Sequence, residues 1–322
     1  MLTPRHARLA LALAACLPAL TWAACDQTVS GKSGVLSFRY DVDDQLFPPA
    51  LTTAAAATML VDVEVFGPKQ SGGATEEAPV LDASSADPTV ADVVATQGNR
   101  VTIRAKSSGR TEITVRSTLG DDAFDLDVAT LAKVDLMAPG VIAPDNPPSK
   151  ALSDATARFF AHLRDGSNRS LVGYGPLTIT ADPPGAATFP EATEIGMVPI
   201  RLTGEGAVTL TAMGDDPLTI EVVPQEDLTG LVLKGPDTVA TVQVDGSLIG
   251  VLRGQTADGS EVVGVASVAA VITPNADKCT ITPALKLGEG AFEIRGKAVG
   301  TCRVEASLGG LQKRYDIEVI AK

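Results

Sequence analysis

Two cysteines near the C-terminus are the side chains best placed to do chemistry. Cys279 and Cys302 lie 23 positions apart. Zinc would need further ligands, and His162 is the only histidine beyond the N-terminal segment. Neither cysteine belongs to a Cys-x-x-Cys motif, the spacing of disulfide oxidoreductases. We therefore expect a structural disulfide, whose loop of about two dozen residues should stabilise the fold by ~3 kcal/mol in the chain-entropy model.

The sequence does not indicate a catalytic centre. His162 is the one candidate for a general base, and it lies within the apolar run "RFFAHL". There we expect a strand residue that faces solvent or packs at an edge. No nucleophile elbow, phosphate-binding loop or dinucleotide fingerprint occurs. The prediction is a protein that is not an enzyme.

Clustered aspartates are the remaining candidates for a ligand site. They are Asp41, Asp43 and Asp44; Asp121 and Asp122; and Asp215 and Asp216. Calcium prefers several converging oxygen ligands, but the spacing of an EF-hand is absent. Aspartate is common in turns because its carboxylate accepts backbone hydrogen bonds. We predict solvated turns and no cofactor, with calcium as the alternative.

The N-terminal segment has the layout of a bacterial export signal. A short basic start is followed by an apolar Ala/Leu run and by small residues before Cys25. The ending Trp22-Ala23-Ala24-Cys25 resembles a lipoprotein signal. That resemblance implies cleavage after residues 1–24 and attachment of a lipid to Cys25. Lipidation of Cys25 would also leave an even number of free cysteines, Cys279 and Cys302, to form one disulfide. The alternative is ordinary signal cleavage near Ala23 or Ala24 without a lipid.

The charge balance excludes one class of partner. The formal net charge is −13, and removal of residues 1–24 makes it two units more negative because the segment holds two arginines and no acid. A chain this acidic repels nucleic acid, and no basic stripe reverses that.

A structural motif recurs three times. The segments are "VTIRAKSSGRTEITV" (101–115), "VPIRLTGEGAVTLTA" (198–212) and "FEIRGKAVGTCRVEA" (292–306). Each reads apolar-x-Ile-Arg, four residues, glycine, then alternating positions, which indicates two strands joined by a glycine turn. The alternating positions are Thr111, Ile113 and Val115; Val208, Leu210 and Ala212; and Cys302, Val304 and Ala306. We expect these nine side chains on the inward face.

The spacing of the motif sets the size of the repeat. Gly206 and Gly300 lie 94 positions apart, and Pro139 and Pro236, after two similar strands, lie 97 apart. This period divides the chain into three parts of about 100 residues, the size of an immunoglobulin-like sandwich. The short links "TLAK" and "PQED" favour a semi-rigid array.

The motif resembles the bacterial immunoglobulin-like domains of group 2, which occur in envelope and surface proteins such as invasin- and intimin-type adhesins. "ADPTVADVVATQGNRVTIRAKSSGRTEITV" carries the resemblance most fully. "KCTITPALKLGEGAFEIRGKAVGTCRVEA" is similar to a variant in which the two cysteine-bearing strands are bridged. The resemblance implies an all-β chain of three tandem sandwiches, at residues 34–131, 133–224 and 228–322.

These observations predict a non-catalytic cell-envelope lipoprotein that acts as a spacer, adhesion or protein-binding module. The membrane is reached through the lipid on Cys25, at the outer or inner membrane, and the partner is an envelope protein or a surface glycan. The alternative is a soluble periplasmic or secreted protein that binds a glycan or peptide. Glycan binding usually needs exposed aromatic side chains, and only Tyr174, in "VGYGP", has a loop-like setting.

Overall fold

The structure is a computed structural model. It describes residues 28–41, 50–68, 76–137, 149–190, 192, 196–234, 241–284 and 290–322. Within these ranges the helices and strands are 27 β-strands and two short 3₁₀ helices, Gln225–Asp227 and Val265–Ser267. None of these described residues forms a helix of the length and apolarity needed to cross a bilayer. The predicted all-β class is confirmed, whereas Cys25, Asp43 and Asp44 lie outside the described residues.

We number the strands in chain order and group them into three successive repeats. The first repeat contains β1 (Val29–Ser30), β2 (Ser37–Tyr40), β3 (Ala55–Ala56), β4 (Leu60–Phe66), β5 (Val80–Ser85), β6 (Ala91–Gln97), β7 (Arg100–Ala105), β8 (Gly109–Ser117) and β9 (Gly120–Ala129). The middle repeat contains β10 (Lys133–Met137), β11 (Lys150–Leu152), β12 (Thr156–Arg164), β13 (Ser170–Leu171), β14 (Ile179–Asp182), β15 (Ala187–Thr188), β16 (Met197–Leu202), β17 (Gly206–Ala212) and β18 (Leu218–Val223). The last repeat contains β19 (Leu228–Lys234), β20 (Thr241–Gln243), β21 (Ser247–Thr256), β22 (Glu261–Val263), β23 (Ala270–Ile272), β24 (Cys279–Pro283), β25 (Ala291–Gly296), β26 (Gly300–Leu308) and β27 (Leu311–Ile320).

Each repeat contributes strands to two sheets that enclose apolar side chains. In the first repeat the strand orders are β1-β2-β4-β7-β6 and β3-β9-β8-β5. The buried cluster between them includes Phe38, Ile103 and Leu126. The other two repeats have the same two-sheet arrangement, with clusters around Phe159 and around Leu252. The division into domains at 34–131, 133–224 and 228–322 stays a prediction.

The predicted inward face is confirmed. All nine alternating positions of the motif are at most 5% exposed, and they lie in β8, β17 and β26. Each of these strands forms an antiparallel hairpin with the strand that follows it. Period-two alternation arises because successive side chains of a strand point to opposite faces, so one face packs in the core.

The glycine turn differs from the expectation in one respect. Gly109, Gly206 and Gly300 begin β8, β17 and β26 with φ of +157°, +94° and +133°. The strands before and after each glycine lie in opposite sheets, so the chain crosses the sandwich instead of forming a hairpin. Glycine suits this crossing because it adopts positive φ without a steric penalty.

The disulfide predicted from the sequence is present. Cys279 and Cys302 are bridged, with Cα atoms 5.8 Å apart, and both are 0% exposed. Cys279 begins β24 and Cys302 lies in β26, so the bridge joins the two sheets of the last repeat. Register places Ala91 and Ala187 at the position of Cys279 in the other repeats, so these two repeats have alanine where the last repeat has the bridge.

Candidate functional site at the junctions between repeats

The first junction is a strand pairing between the first and middle repeats. On one side β3 runs parallel to β9, with Ala55 opposite Val128. On the other side Val172 donates its N–H to the carbonyl of Ala54 at 3.0 Å, and Ala56 donates to the carbonyl of Val172 at 2.7 Å. Val172 is 3% exposed and belongs to the core of the first repeat. A residue of the middle repeat therefore completes the first repeat.

The second junction repeats this arrangement over a longer pairing. Strand β11 runs parallel to β18, with Ala151 opposite Val222, and parallel to β22, with Ala151 opposite Val263. Val263 is 0% exposed and belongs to the core of the middle repeat. The pairing merges strands of both repeats into one sheet, in the order β14-β17-β18-β11-β22-β21-β25-β24.

Val172 and Val263, which we call the docking valines, are each followed by a glycine that allows the adjacent repeat to approach closely. A Cβ added to Gly173 would lie 2.9 Å from the Cβ of Met59, and one added to Gly264 would lie 3.1 Å from the Cβ of Ala155. Both glycines have positive φ, +153° and +84°. Met59 and Ala155 in turn pack in the cores of the repeats that follow them. Each junction thus exchanges side chains in both directions.

Sequence reasoning missed this signature. The segments "LVGYG" (171–175) and "VVGVA" (262–266) share an apolar residue, valine and glycine after a turn that contains Asp-Gly-Ser. Asp-Gly-Ser by itself indicates the turn that precedes each segment. The shared Val-Gly pair is a signal that could have marked the junctions, because a close backbone approach is one reason for glycine after a strand.

Tyr174 adds polar contacts to the first junction. Its backbone exchanges two hydrogen bonds with Leu60, each 2.9 Å long. Its hydroxyl donates to Asp62 Oδ2 at 3.0 Å, and Thr102 Oγ1 donates to Asp62 Oδ1 at 2.5 Å. Burial, followed by the negative charge of Asp62, raises the pKa of Tyr174 well above its usual value. The one aromatic residue with a loop-like sequence setting therefore joins two repeats.

Lys150 adds polar contacts to the second junction. Its Nζ lies 3.0 Å from Asp258 Oδ2 in the last repeat and 3.4 Å from Glu221 Oε2 in the middle repeat. The Asp258 carboxylate also accepts hydrogen bonds from Thr256 Oγ1 at 2.5 Å and the Ser260 N–H at 3.0 Å. These bonds, with that of Thr256 the strongest, hold the pKa of Asp258 below its usual value. Asp258 therefore stays charged opposite Lys150.

Two of the aspartates considered for calcium bind backbone amides. Asp122 lies within β9 instead of the expected turn, and its carboxylate accepts the N–H groups of Ser33 at 2.8 Å and Leu36 at 2.9 Å. Asp215, in the predicted turn, accepts the N–H of Leu136 at 2.9 Å. Their neighbours in sequence, Asp121 and Asp216, are exposed. In the part of the chain that the structure describes, no group of three or more His, Cys, Asp or Glu residues could hold a metal ion.

The two remaining candidates have simple surroundings. His162 is exposed in β12, as expected, and lies opposite Asp135 of β10. The carboxylate of Asp135 pairs with Lys133 and Arg164. Asp41 pairs with Arg100. Asp135 and Asp41 therefore take part in ion pairs.

We expect the stability of the first junction to fall in alkaline solution. The pKa of Tyr174 is raised above its usual 10.0, so the folded chain resists a deprotonation that the unfolded chain undergoes. The contribution of Tyr174 to the free energy of unfolding is therefore complete below about pH 10, and it is lost as the pH rises toward the pKa of Tyr174 in the folded state. Tyr174→Phe should cost about 1.5 kcal/mol near pH 7, the low end for a hydrogen bond to a carboxylate, because Tyr174 is only half-buried.

The measurement is urea unfolding from pH 7 to pH 11. Tyr174→Phe should show a shallower alkaline loss of unfolding free energy than the wild type. Some slope should remain in the variant, because burial also raises the pKa of Tyr40. Identical slopes for variant and wild type would contradict the prediction.

Comparisons with known proteins concern the fold and one segment. A family model described as "Pilus formation protein N terminal region" matches residues 75–129, which contain β5 to β9. No curated protein matches the chain. Domains 4–9 of the surface layer protein SbsC are similar at 14% identity and a TM-score of 0.31, over 88% of this chain and 47% of that one. The chain thus spans about half the length of that structure.

Two adhesion proteins are among the other similar structures. The Escherichia coli adhesin FdeC has 11% identity and a TM-score of 0.25, over 91% of this chain and 99% of that one. Invasin, a bacterial integrin-binding protein, has 13% identity and a TM-score of 0.27, over 89% of this chain and 60% of that one.

Proposed function

We propose that the chain is an exported, lipid-anchored protein of the cell envelope that acts as a non-catalytic spacer and protein-binding module. Its three immunoglobulin-like sandwiches span residues 34–131, 133–224 and 228–322. The observation that supports this role is the repeated junction, in which a valine of each following repeat packs in the core of the preceding one.

A spacer must hold its units in fixed relation. Domains in one chain move relative to each other by default unless their interface is large and apolar. Here each junction combines main-chain hydrogen bonds on both sides of a short strand with apolar side chains shared between two cores. Tyr174 and Lys150 add directional polar contacts. Such junctions favour an array that transmits position from one repeat to the next.

The cellular address is inferred from the N-terminus and from one family match. Residues 1–24 serve as the signal, and Cys25 carries the lipid. A lipid with several acyl chains anchors far more firmly than one with a single chain. The match of residues 75–129 to a pilus formation protein supports a place in the envelope. The acidic charge suits a protein that does not bind nucleic acid.

A Cys25→Ser variant tests the anchor. Wild-type protein should fractionate with membranes and incorporate an alkyne-tagged fatty acid, because the lipid is attached to the Cys25 sulfur. The variant should lose at least about nine-tenths of both signals, since one lipid group provides the attachment. A Cys16→Ser variant is the matched control and should behave as wild type. Wild-type protein in the soluble fraction would instead favour a periplasmic or secreted protein.

A further inference from the structure

The last repeat has a strand edge that is equivalent to the two junction edges. Strand β20 runs parallel to β27, with Val242 opposite Val319. Val319 is the fifth residue of "YDIEVI", as Val128 is of "FDLDVA" and Val222 of "LTIEVV". In this register Val242 corresponds to Ala55 and Ala151. Those two residues are the ones that face Val172 and Val263.

The backbone of the last repeat repeats the local geometry of the others. Val244 donates to the carbonyl of Ile320 at 3.0 Å, as Ala57 donates to that of Ala129 at 2.8 Å in the first repeat. These bonds show that the N–H and carbonyl groups of alternate residues point toward β27 or β9, and that those of the residues between them point away from the sheet. The Gln243 N–H and the Thr241 carbonyl therefore occupy the places of the groups that bind Val172 at the first junction. Among the described residues, β20 pairs as a strand only with β27.

Two side chains show that this end of the repeat is uncovered by described residues. Ile320 is 40% exposed, whereas Val223, its equivalent in the middle repeat, is 4% exposed and packs in the core of the last repeat. Gln243 is exposed, whereas its equivalents Ala56 and Leu152 are buried. An exposed strand edge beside an exposed isoleucine is a template for an added strand.

We propose that the β20 edge, formed by Thr241, Val242 and Gln243 beside Ile320, binds an edge strand of another protein through main-chain pairing. The strand it fits carries valine or isoleucine followed by a small residue. This deepens the proposed function, since it names the partner class of the protein-binding module. Gly246 occupies the position of Met59 and Ala155, whose side chains contact the glycine after the docking valine at the two junctions. Because Gly246 has no side chain, the residue after the docking valine or isoleucine of a partner can be alanine as well as glycine.

A second copy of this chain does not present such a strand with its first repeat. In the first repeat Glu77 pairs with Phe66 of β4. Val172 and Val263 occupy the equivalent position in the later repeats, as judged from the register of the paired strands. Glu77 is exposed and carries a charge that a sandwich interior would not accommodate without a partner. Pro79 stands at the place of Tyr174, and proline has no N–H to donate there. The favoured occupant is therefore a different polypeptide.

The test uses the chain's own docking strand as the probe. A flexible Gly/Ser linker after Lys322 carries a second copy of residues 168–176, "NRSLVGYGP", in the Cys25→Ser protein. Tethering brings the probe to an effective concentration of about a millimolar, enough to reveal weak pairing. The readout is hydrogen exchange at the Gln243 amide, which should slow by about tenfold relative to the protein without the extension.

The matched control changes only the docking residue of the appended copy, from valine to glutamate. Exchange at Gln243 should then return to that of the protein without the extension, while exchange at Ala56 stays unchanged in all three proteins. Equal slowing by both probes, or no slowing by the valine probe, overturns the proposal. Neither result depends on the lipid, so failure here is distinct from failure of the anchor.

Discussion

Replacing Cys279 and Cys302 together with alanine is expected to lower the free energy of unfolding by about 3 kcal/mol. The bridge closes a loop with a sequence separation of 23 and joins opposite sheets of the last repeat. Its loss enlarges the set of unfolded conformations and leaves the folded packing nearly intact. Alanine is a reasonable substitute, because Ala91 and Ala187 occupy the register position of Cys279 in the other repeats.

Urea unfolding followed by hydrogen exchange measures this effect repeat by repeat. Amides of β25 to β27 should lose protection at lower urea, whereas those of β4 and β7 should unfold as in the wild type. Wild-type protein treated with reductant should match the double variant. Equal midpoints for the oxidised wild type and the double variant would show that packing, and not the bridge, holds the two sheets.

Val263→Asp is expected to open the second junction and to cost at least about 3 kcal/mol. Val263 is 0% exposed and packs in the core of the middle repeat, so aspartate would place an unpaired carboxylate there. Two outcomes can relieve this cost: protonation of the carboxyl group or withdrawal of β22 from β11. Withdrawal separates the middle and last repeats, and it is the expected outcome at neutral pH, where a carboxyl group ionises readily once it reaches water.

The opening is measured through spin labels at Leu81 and Ile272, which are 60% and 54% exposed. The parent protein should give one narrow distance distribution, and Val263→Asp should broaden it. Val268→Asp is the matched control, since Val268 is 48% exposed in the same repeat, and it should change stability by no more than about 0.5 kcal/mol. A narrow distribution in Val263→Asp would refute the role of this valine.

The sequence predicted well what depends on neighbouring residues. Alternation at Val208, Leu210 and Ala212 correctly assigned the buried face, because the two-residue period of a strand is local. The disulfide followed from parity and from the lack of other cysteine chemistry. Asp-Gly-Ser is likewise a local turn signal, and it lies between β12 and β13 in the middle repeat and between β21 and β22 in the last.

The junctions could not be predicted because they depend on distant partners. The alanine-rich segment "LTTAAAATML" contains β3, where Ala55 lies between Val128 and Val172, both far along the chain. Tyr174 similarly has the sequence setting of an exposed loop aromatic, yet it bonds to Asp62, 112 positions away. Periodicity identifies the face of a strand and says nothing about which strand pairs with it.

The residue at the docking position restricts how the repeats can be rearranged. The middle and last repeats each present valine and glycine there, so either can follow another sandwich in a recombined chain. The first repeat presents Glu77 and Ala78, and in an internal place it would insert a carboxylate into its neighbour. Gene duplication could therefore lengthen this protein by copying either later repeat, whereas the first is suited only to lead the series.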